Sequence, residues 1–234
     1  MTRLVFLGTK GEIEEHTDKH QYHASMMVIS EDVRILIDYG LLRKYTLEEL
    51  KPDLILITHA HPDPYAWLEE DVKTDVPVYL THETYSYGKF RPSNSYIIAP
   101  YEEVTAGKIK WLAYPVIHSL RCPTVGYRMV IDNRLTFVYN PDVVDIPDKG
   151  CILTGVDYYI GDGSSIKANL VRRRNDQLFG HTRITTQINW CKKYGIKNII
   201  FTHLGKETLE KEADFQRENP GIILAWDGME LDIV

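Results

Sequence analysis

The stretch at residues 51–64, KPDLILITHAHPDP, decides how the rest of the chain is interpreted. Its apolar run at residues 54–57 predicts a short buried strand, and a polar loop follows. In that loop His59 and His61 are two residues apart, so both rings can point to one side, and Asp63 is within reach. A lone histidine here would indicate only a solvated loop. Two imidazoles and a carboxylate directly after a buried strand instead favour a zinc, iron or manganese site.

Three further apolar segments lead into side chains that can bind a metal, namely His118, Asp142 and His203. In open sheets, the residues just beyond the strand ends converge on one rim, where ligands bind. Chance can place one such residue after a strand, but four placements that include His59 predict one shared site.

The composition is that of an ordinary globular protein. The chain has 234 residues, 44% of them apolar and 26% charged, which favours one domain over residues 1–234. No apolar run is long enough to cross a membrane and no secretory leader is evident, so we expect a cytoplasmic protein with no membrane partner. Three cysteines without paired spacing predict reduced thiols, and a net charge of -6 argues against a broad nucleic-acid-coating surface.

The first half of the chain also carries local signals for helices and loops. Thr46 begins a capping-box pattern, which predicts a short helix at Leu47–Leu50. Pro64 is suited to the first position of a helix, with Asp63 as its N-cap. Residues 81–100 show no clear periodicity, which predicts a surface loop or, as an alternative, a rim that faces the substrate.

In the second half, residues 183–194 form the clearest helical pattern, with Gly195 as its stop signal. Residues 207–218 predict a second helix. The dipeptide Asp227-Gly228 lies between two apolar runs, which is typical of a two-residue hairpin turn. This hairpin is expected to close the fold.

In this order, LIDYG, THAHPDP, PVIHS, YNPDV and FTHLG resemble the metallo-β-lactamase superfamily over nearly the whole chain. The resemblance implies an α/β fold, a four-layer αββα sandwich with metals at one edge between two sheets. It also implies that His59, His61 and His118 bind a first metal, that Asp63 and His203 help bind a second, and that Asp142 bridges the two.

Pro64 departs from the family motif, which carries a further histidine for the second metal at this position. Proline has no donor atom to offer, so a second metal is either bound more weakly, absent or held by another side chain. Asp162 competes with Asp142 for the bridging position, and we expect it instead to orient ligating histidines. Asp38, which ends a buried strand, is predicted to cap loop amides rather than to bind metal.

Residues 179–207 are most similar to the ribonuclease Z and phosphodiesterase branch of the superfamily. The resemblance implies that His181, just before a helix, donates a proton or contacts a phosphate, whereas an ordinary helix-start residue is the alternative. The long arm of true ribonuclease Z is not evident, which disfavours tRNA processing. Arg172–Arg174 fits either a contact with a phosphate backbone or a solvated face.

These observations lead to one main functional hypothesis. A bound metal lowers the pKa of its water to about 7, so we expect hydroxide attack on a phosphodiester of a nucleotide or short nucleic acid. Asp63 and His181 are the predicted catalytic residues. Zinc is the expected metal, as one or two ions, with manganese or iron as alternatives. The rival hypotheses are hydrolysis of a lactone, thioester or carboxylic ester, and a non-catalytic metal-binding protein. The sequence is also compatible with a homodimer.

Overall fold

The computed structural model describes residues 2–31 and 33–233, which form two seven-stranded sheets and one two-stranded ribbon. The first sheet contains, in spatial order, β16 (Met229–Ile233), β1 (Thr2–Gly8), β2 (Ser25–Ile29), β3 (Arg34–Ile37), β4 (Leu54–Leu56), β5 (Val78–Leu80) and β6 (Ser95–Ile97). The second contains β15 (Ile222–Leu224), β14 (Asn198–Thr202), β11 (Tyr158–Asp162), β10 (Leu135–Tyr139), β9 (Thr124–Ile131), β8 (Ile109–Val116) and β7 (Glu103–Ala106). The ribbon pairs β12 (Arg172–Arg174) with β13 (Gln177–Phe179).

Short helices cover the outer faces of the two large sheets. They are α1 (Leu47–Leu50), α2 (His82–Tyr87), α3 (Lys149–Leu153), α4 (Ile184–Tyr194), α5 (Lys206–Glu210), α6 (Glu212–Glu218) and one 3₁₀ turn (Ala66–Leu68). In the described part of the chain, no helix is both long and apolar enough to cross a membrane.

The layers follow from which face of each strand is apolar. In β1, Leu4 and Phe6 point into the core between the two sheets, whereas Val5 and Leu7 pack on the outer side of the first sheet. Trp111 supplies the inner core from the second sheet. Separate apolar clusters join the outer face of each sheet to its helices. The predicted four-layer αββα sandwich is therefore confirmed.

Parallel pairing places several strand ends on one edge of the sandwich. In the first sheet, β3 and β4 run parallel, and in the second sheet β10, β11 and β14 do so. Parallel strands point their carboxyl ends to the same edge. The loops that follow these strands therefore meet, as the sequence predicts.

Several local predictions can now be compared with the structure. The capping box at Thr46 is present, with its hydroxyl accepting a hydrogen bond from the Glu49 amide. The prediction of a helix that starts at Pro64 with Asp63 as its N-cap is wrong. Only the 3₁₀ turn forms, with Tyr65 as the residue before it, and the Asp63 carboxylate contacts His203 instead. The loop predicted at residues 81–100 is wrong in part, since it contains α2 and β6.

The C-terminal predictions are confirmed only in part. Gly195 ends α4 in the left-handed conformation, with a φ of 73°. The helix expected at residues 207–218 is instead interrupted at Lys211, between α5 and α6. The Asp227-Gly228 hairpin is wrong: β15 pairs with β14 in the second sheet, whereas β16 pairs with β1 in the first.

Candidate metal centre

Loops from both sheets bring the six predicted metal ligands to one edge of the sandwich. Three of them follow β4 in the first sheet, and the other three follow β8, β10 and β14 in the second. Their ligand atoms form two compact groups, in each of which all these atoms lie within 4.8 Å of one another. The first group is His59, His61 and His118, and the second is Asp63, Asp142 and His203.

The first group consists of three imidazoles that face one another. The ring centroid of His59 is 4.4 Å from that of His61 and 5.0 Å from that of His118. Burial, together with the neighbouring His118 and His61, holds the pKa of His59 well below its usual range. Burial likewise lowers the pKa of His118 to about 3. Neutral imidazoles carry the lone pairs that a metal needs.

The hydrogen bonds of His59 aim one of its nitrogens at the centre. The Thr58 hydroxyl donates to the Asp38 carboxylate at 3.0 Å, so it must accept from Nδ1 of His59, which lies 3.0 Å away. Nε2 then carries the lone pair, and it is buried without a hydrogen-bond partner in the described residues. An orphaned acceptor among imidazoles fits a metal ligand. Asp38 also accepts from the Thr58 amide, as predicted.

His118 is held in the same way by the backbone. Its Nδ1 donates to the Gly180 carbonyl at 2.9 Å, which leaves the lone pair on Nε2. That Nε2 atom is 3.4 Å from Nδ1 of His61 and 3.5 Å from Oδ1 of Asp142. His118 therefore lies at the junction of the two groups.

The second group consists of two carboxylates around one imidazole. Nε2 of His203 is 2.9 Å from Oδ2 of Asp63 and 3.2 Å from Oδ1 of Asp142. Burial raises the pKa of Asp142 to about 7, and the negative charge of Asp63 adds to this effect. Burial opposes the charged form of His203, but these carboxylates and Asp162 outweigh it and raise its pKa. Two like charges buried together favour a cation between them.

His203 occupies a backbone conformation that costs energy. Its φ is 55°, in the left-handed region that few residues other than glycine adopt. Gly11 packs against its ring, where an added Cβ would lie 2.9 Å from Cε1. Such strain is typical of functional sites, where the surrounding structure holds a side chain in place.

Pro64 is buried beside this second group and offers no donor. Asp63, Asp142 and His203 are therefore the three donors of the group. Three protein donors with one open position are the usual number in catalytic zinc sites. The donor set fits a divalent metal at both groups, and it does not by itself identify the metal.

His181 lies beside both groups, at the end of the ribbon. Its Nδ1 is 2.8 Å from Oδ2 of Asp162 and 3.1 Å from the Ser164 hydroxyl. Burial lowers the pKa of His181, but the Asp162 carboxylate outweighs it and raises the pKa above its usual value. The side chain is 23% exposed, so the ring reaches the surface of the cavity.

Asp162 lies beside Nδ1 of both His181 and His203, and the ligand atoms of these three residues lie within 4.8 Å of one another. Its Oδ1 is 3.8 Å from Nδ1 of His203 and accepts from the amide of Ser164, and its Oδ2 accepts from the amide of Val143. Asp142 lies within 3.5 Å of Nε2 of both His118 and His203, and the expected role of Asp162 in orienting the histidines stays a prediction.

Two contributors to the centre are not predicted from the sequence. Thr58 bridges Asp38 and His59, and the Ser164 hydroxyl contacts Nδ1 of both His181 and His203. Hydroxyl groups are common in loops, so neither residue stands out by type. The one available signal is position, because each directly flanks a candidate motif.

The centre forms the wall of a cavity of about 520 Å³. The cavity meets a second groove at the centre, and both are lined by Glu12, His61, His118 and His181. A site that is buried in its donors but open on one side can admit a substrate.

The fold and the paired donor groups define a metallo-hydrolase architecture. A model of the beta-lactamase superfamily domain matches residues 34–204, so this chain belongs to the beta-lactamase superfamily. No curated protein matches the sequence.

Solved structures show the same fold. The chain is similar to a diphosphatase from the PhnP family, with a TM-score of 0.74, 22% identity, and coverage of 98% of this chain and 96% of that one. It is similar to human tRNase Z, short form, with a TM-score of 0.70, 15% identity and 99% coverage of both chains. It is also similar to an isothiocyanate hydrolase from Delia radicum gut bacteria, with a TM-score of 0.68, 13% identity and 99% coverage of both chains. At such identities the likeness shows the fold alone.

Proposed function

We propose that this protein is a metal-dependent phosphodiesterase that acts on a nucleotide or a short nucleic-acid-like diester. The observation that carries the proposal is the position of His181 beside the two donor groups, with Nδ1 2.8 Å from Oδ2 of Asp162. The names of the diphosphatase and the tRNase Z that share the fold support a phosphoester substrate.

The two donor groups would hold one or two divalent ions, and zinc is the ion we propose. His59, His61 and His118 would bind the first, and Asp63, Asp142 and His203 would bind the second, with Asp142 between them. A bound ion of this kind supplies a Lewis acid and lowers the pKa of water. Asp63 and Asp142 would supply the negative charge that offsets the charge of the ions.

His181 would act as the general acid. The Asp162 carboxylate accepts the Nδ1 proton and raises the pKa of His181, which favours the imidazolium form, and the Nε2 proton of that form would be the one donated. A phosphodiester with an alkoxide leaving group needs a proton at the departing oxygen, and a positioned histidine typically contributes about 10²–10⁴-fold. A carboxylic ester makes a smaller demand on such a donor.

The test compares substrates that differ in their leaving group. The zinc-loaded protein is assayed with a dinucleoside monophosphate, with bis(p-nitrophenyl) phosphate, and with a panel of lactones and thioesters. We expect His181→Ala to reduce turnover of the dinucleotide by about 10²-fold or more, and turnover of the nitrophenyl ester much less, because nitrophenolate leaves without a proton.

Faster turnover of a lactone or thioester than of any phosphodiester would support the ester-hydrolase alternative, which the isothiocyanate hydrolase of the same fold keeps open. Absence of any turnover that a chelator abolishes would support the non-catalytic alternative, in which Pro64 marks a degenerate site.

A further inference from the structure

A second groove, of about 780 Å³, leads away from the metal centre on the side of the ribbon. His61, His118 and His181 lie at its inner end, where it joins the main cavity. A substrate bound at the centre can therefore extend into it. The outer walls of the groove are formed by Leu68, Tyr87, Leu120, Arg121, Arg174 and Phe179.

The ribbon directs one face of its side chains into this groove. Arg172 pairs with Phe179, and Arg174 pairs with Gln177, so these four residues share a face. Arg174 and Phe179 both line the groove. Arg173 is on the opposite face, because successive side chains of a strand alternate.

The position of the ribbon is fixed relative to the centre. Its turn is made by Asn175 and Asp176, both with positive φ, as in a tight hairpin. At its base, Gly180 donates its amide to the carbonyl of His118 and accepts from Nδ1 of the same residue. The ribbon that carries Arg174 is therefore anchored at its base to a residue of the metal centre.

The charged groups of the groove differ in the charges that surround them. Arg121 and Arg174 are both exposed, and within residues 2–31 and 33–233 neither guanidinium has a hydrogen bond or an ion pair, unlike those of Arg3 and Arg43. Glu12 and Glu69 also line the groove. The positive charge of Arg121 partly offsets the negative charge of Glu12. Among the described residues that line the groove, Arg174 is thus a cation without a local partner, and a ligand can reach it.

We propose that this groove binds a second phosphate group of the substrate, beyond the diester that is cleaved. The guanidinium of Arg174 presents the planar fork that suits phosphate oxygens, and Arg121 adds charge from the facing loop. The rings of Phe179 and Tyr87 offer a surface for the attached base. The substrate class is therefore an oligonucleotide that carries a phosphate next to the scissile one. This inference rests on the proposed function.

The experiment uses two substrates that differ by one phosphate. Zinc-loaded protein is assayed with a dinucleoside monophosphate and with the same dinucleotide carrying a terminal phosphate, placed at the 5′ end in one compound and at the 3′ end in another. We expect the terminal phosphate at one end to raise kcat/KM by about tenfold or more, the size of a charge-assisted contact. Arg174→Ala should remove this advantage, whereas the matched control Arg173→Ala should keep it.

Equilibrium binding supplies a readout that does not depend on turnover. We expect a nucleoside bisphosphate to bind the wild-type protein more tightly than the nucleoside monophosphate, and Arg174→Ala to equalise the two. Equal kcat/KM for all three dinucleotides would overturn this inference while leaving the proposed function intact. Loss of the advantage in Arg173→Ala as well would also overturn it, because only general surface charge would then be involved. No turnover of any dinucleotide would count against the proposed function itself.

Discussion

At the scale of single residues, the Thr58 hydroxyl connects the buried carboxylate of Asp38 to the metal centre. It donates to Asp38 and accepts from Nδ1 of His59, so it fixes which nitrogen of His59 faces the centre. Thr58→Val keeps the shape of the side chain and removes this hydroxyl. We expect zinc affinity to fall by about 10–100-fold, measured by competition with a chelator, because the tautomer of His59 is no longer specified.

Thr58→Ser is the matched control, since it keeps the hydroxyl and removes only a methyl group. Its zinc affinity should stay close to that of the wild type. Equal zinc affinity in the valine and wild-type proteins would show that the hydroxyl does not position His59.

The residue scale also shows which parts of the site a sequence reveals. The convergence of His59, His118, Asp142 and His203 was predictable, because each follows an apolar run and the ends of such runs meet at one edge of the sheets. Thr58 and Ser164 were not, because a hydroxyl is a common loop group and its role depends on two partners that are distant in the sequence. The positive φ of His203 and the contact of its ring with Gly11 were not predictable either, because no local sequence pattern indicates them.

At the scale of elements, the junction between the ribbon and the centre depends on Gly180. Its φ is 101°, and an added Cβ would lie 2.2 Å from the Leu170 carbonyl oxygen. Gly180→Ala should therefore lower the free energy of unfolding by more than ~2 kcal/mol, since it combines backbone strain with a backbone clash. It should also reduce turnover, because the bonds to His118 are disturbed. Denaturant unfolding and kinetics measure the two effects.

Gly155→Ala is the control for strain without a clash, because Gly155 has a φ of 70° and nothing lies within 4 Å of an added Cβ. We expect it to cost ~1 kcal/mol and to leave turnover unchanged. A Gly180 variant that loses no more stability than the Gly155 variant would contradict the argument.

The first turn of α5 carries a carboxylate that orders the loop after Ser164. Glu207 accepts from the Ser165 hydroxyl and from the amides of Ile166, Lys167 and Ala168. Partial burial alone would raise its pKa, but Lys211 and these donors outweigh it and lower the pKa to about 2. Because the folded pKa is depressed, the stabilisation is complete above the unfolded value of 4.5 and is lost as the pH falls toward 2.

The measurement is the unfolding midpoint in denaturant, followed against pH for the wild type and for Glu207→Gln. The wild type should be the more stable protein by a constant margin between pH 5 and 8, and the margin should shrink below about pH 4.5. A margin that does not change between pH 5 and 2 would show that the ionised form is not the stabilising one.

Predictions of helices and turns were confirmed where the signal lies in neighbouring residues, and they were wrong where the pairing of distant strands decides the structure. The capping box of Thr46 and the stop at Gly195 depend on neighbours in the sequence, and both were predictable. The apparent hairpin at Asp227-Gly228 was wrong, because β15 and β16 find their partners in different sheets. The Asp227 carboxylate instead accepts hydrogen bonds from the amides of Gln21 and Tyr22, so its role depends on a distant loop.

At the scale of the whole molecule, the centre joins the two sheets. His59, His61 and Asp63 follow a strand of the first sheet, and the other three candidate ligands follow strands of the second. The inner core is likewise built from both sheets. We therefore propose that the chain forms one domain, whose halves are linked by apolar packing and, when metal is bound, by ligation.

Metal removal should accordingly weaken the whole fold rather than one loop. Binding only to the folded state stabilises it by about 2.7 kcal/mol at a zinc concentration of a hundred times Kd, which for a chain of this size raises Tm by ~5–10 °C. We expect zinc to raise the Tm of the chelated wild type as a single transition, measured by calorimetry. Asp142→Ala should lose most of this response, whereas Asp148→Ala, which removes an exposed carboxylate, should keep it. Two separate transitions, or an unchanged zinc response in Asp142→Ala, would mean that the metal does not connect the sheets through this residue.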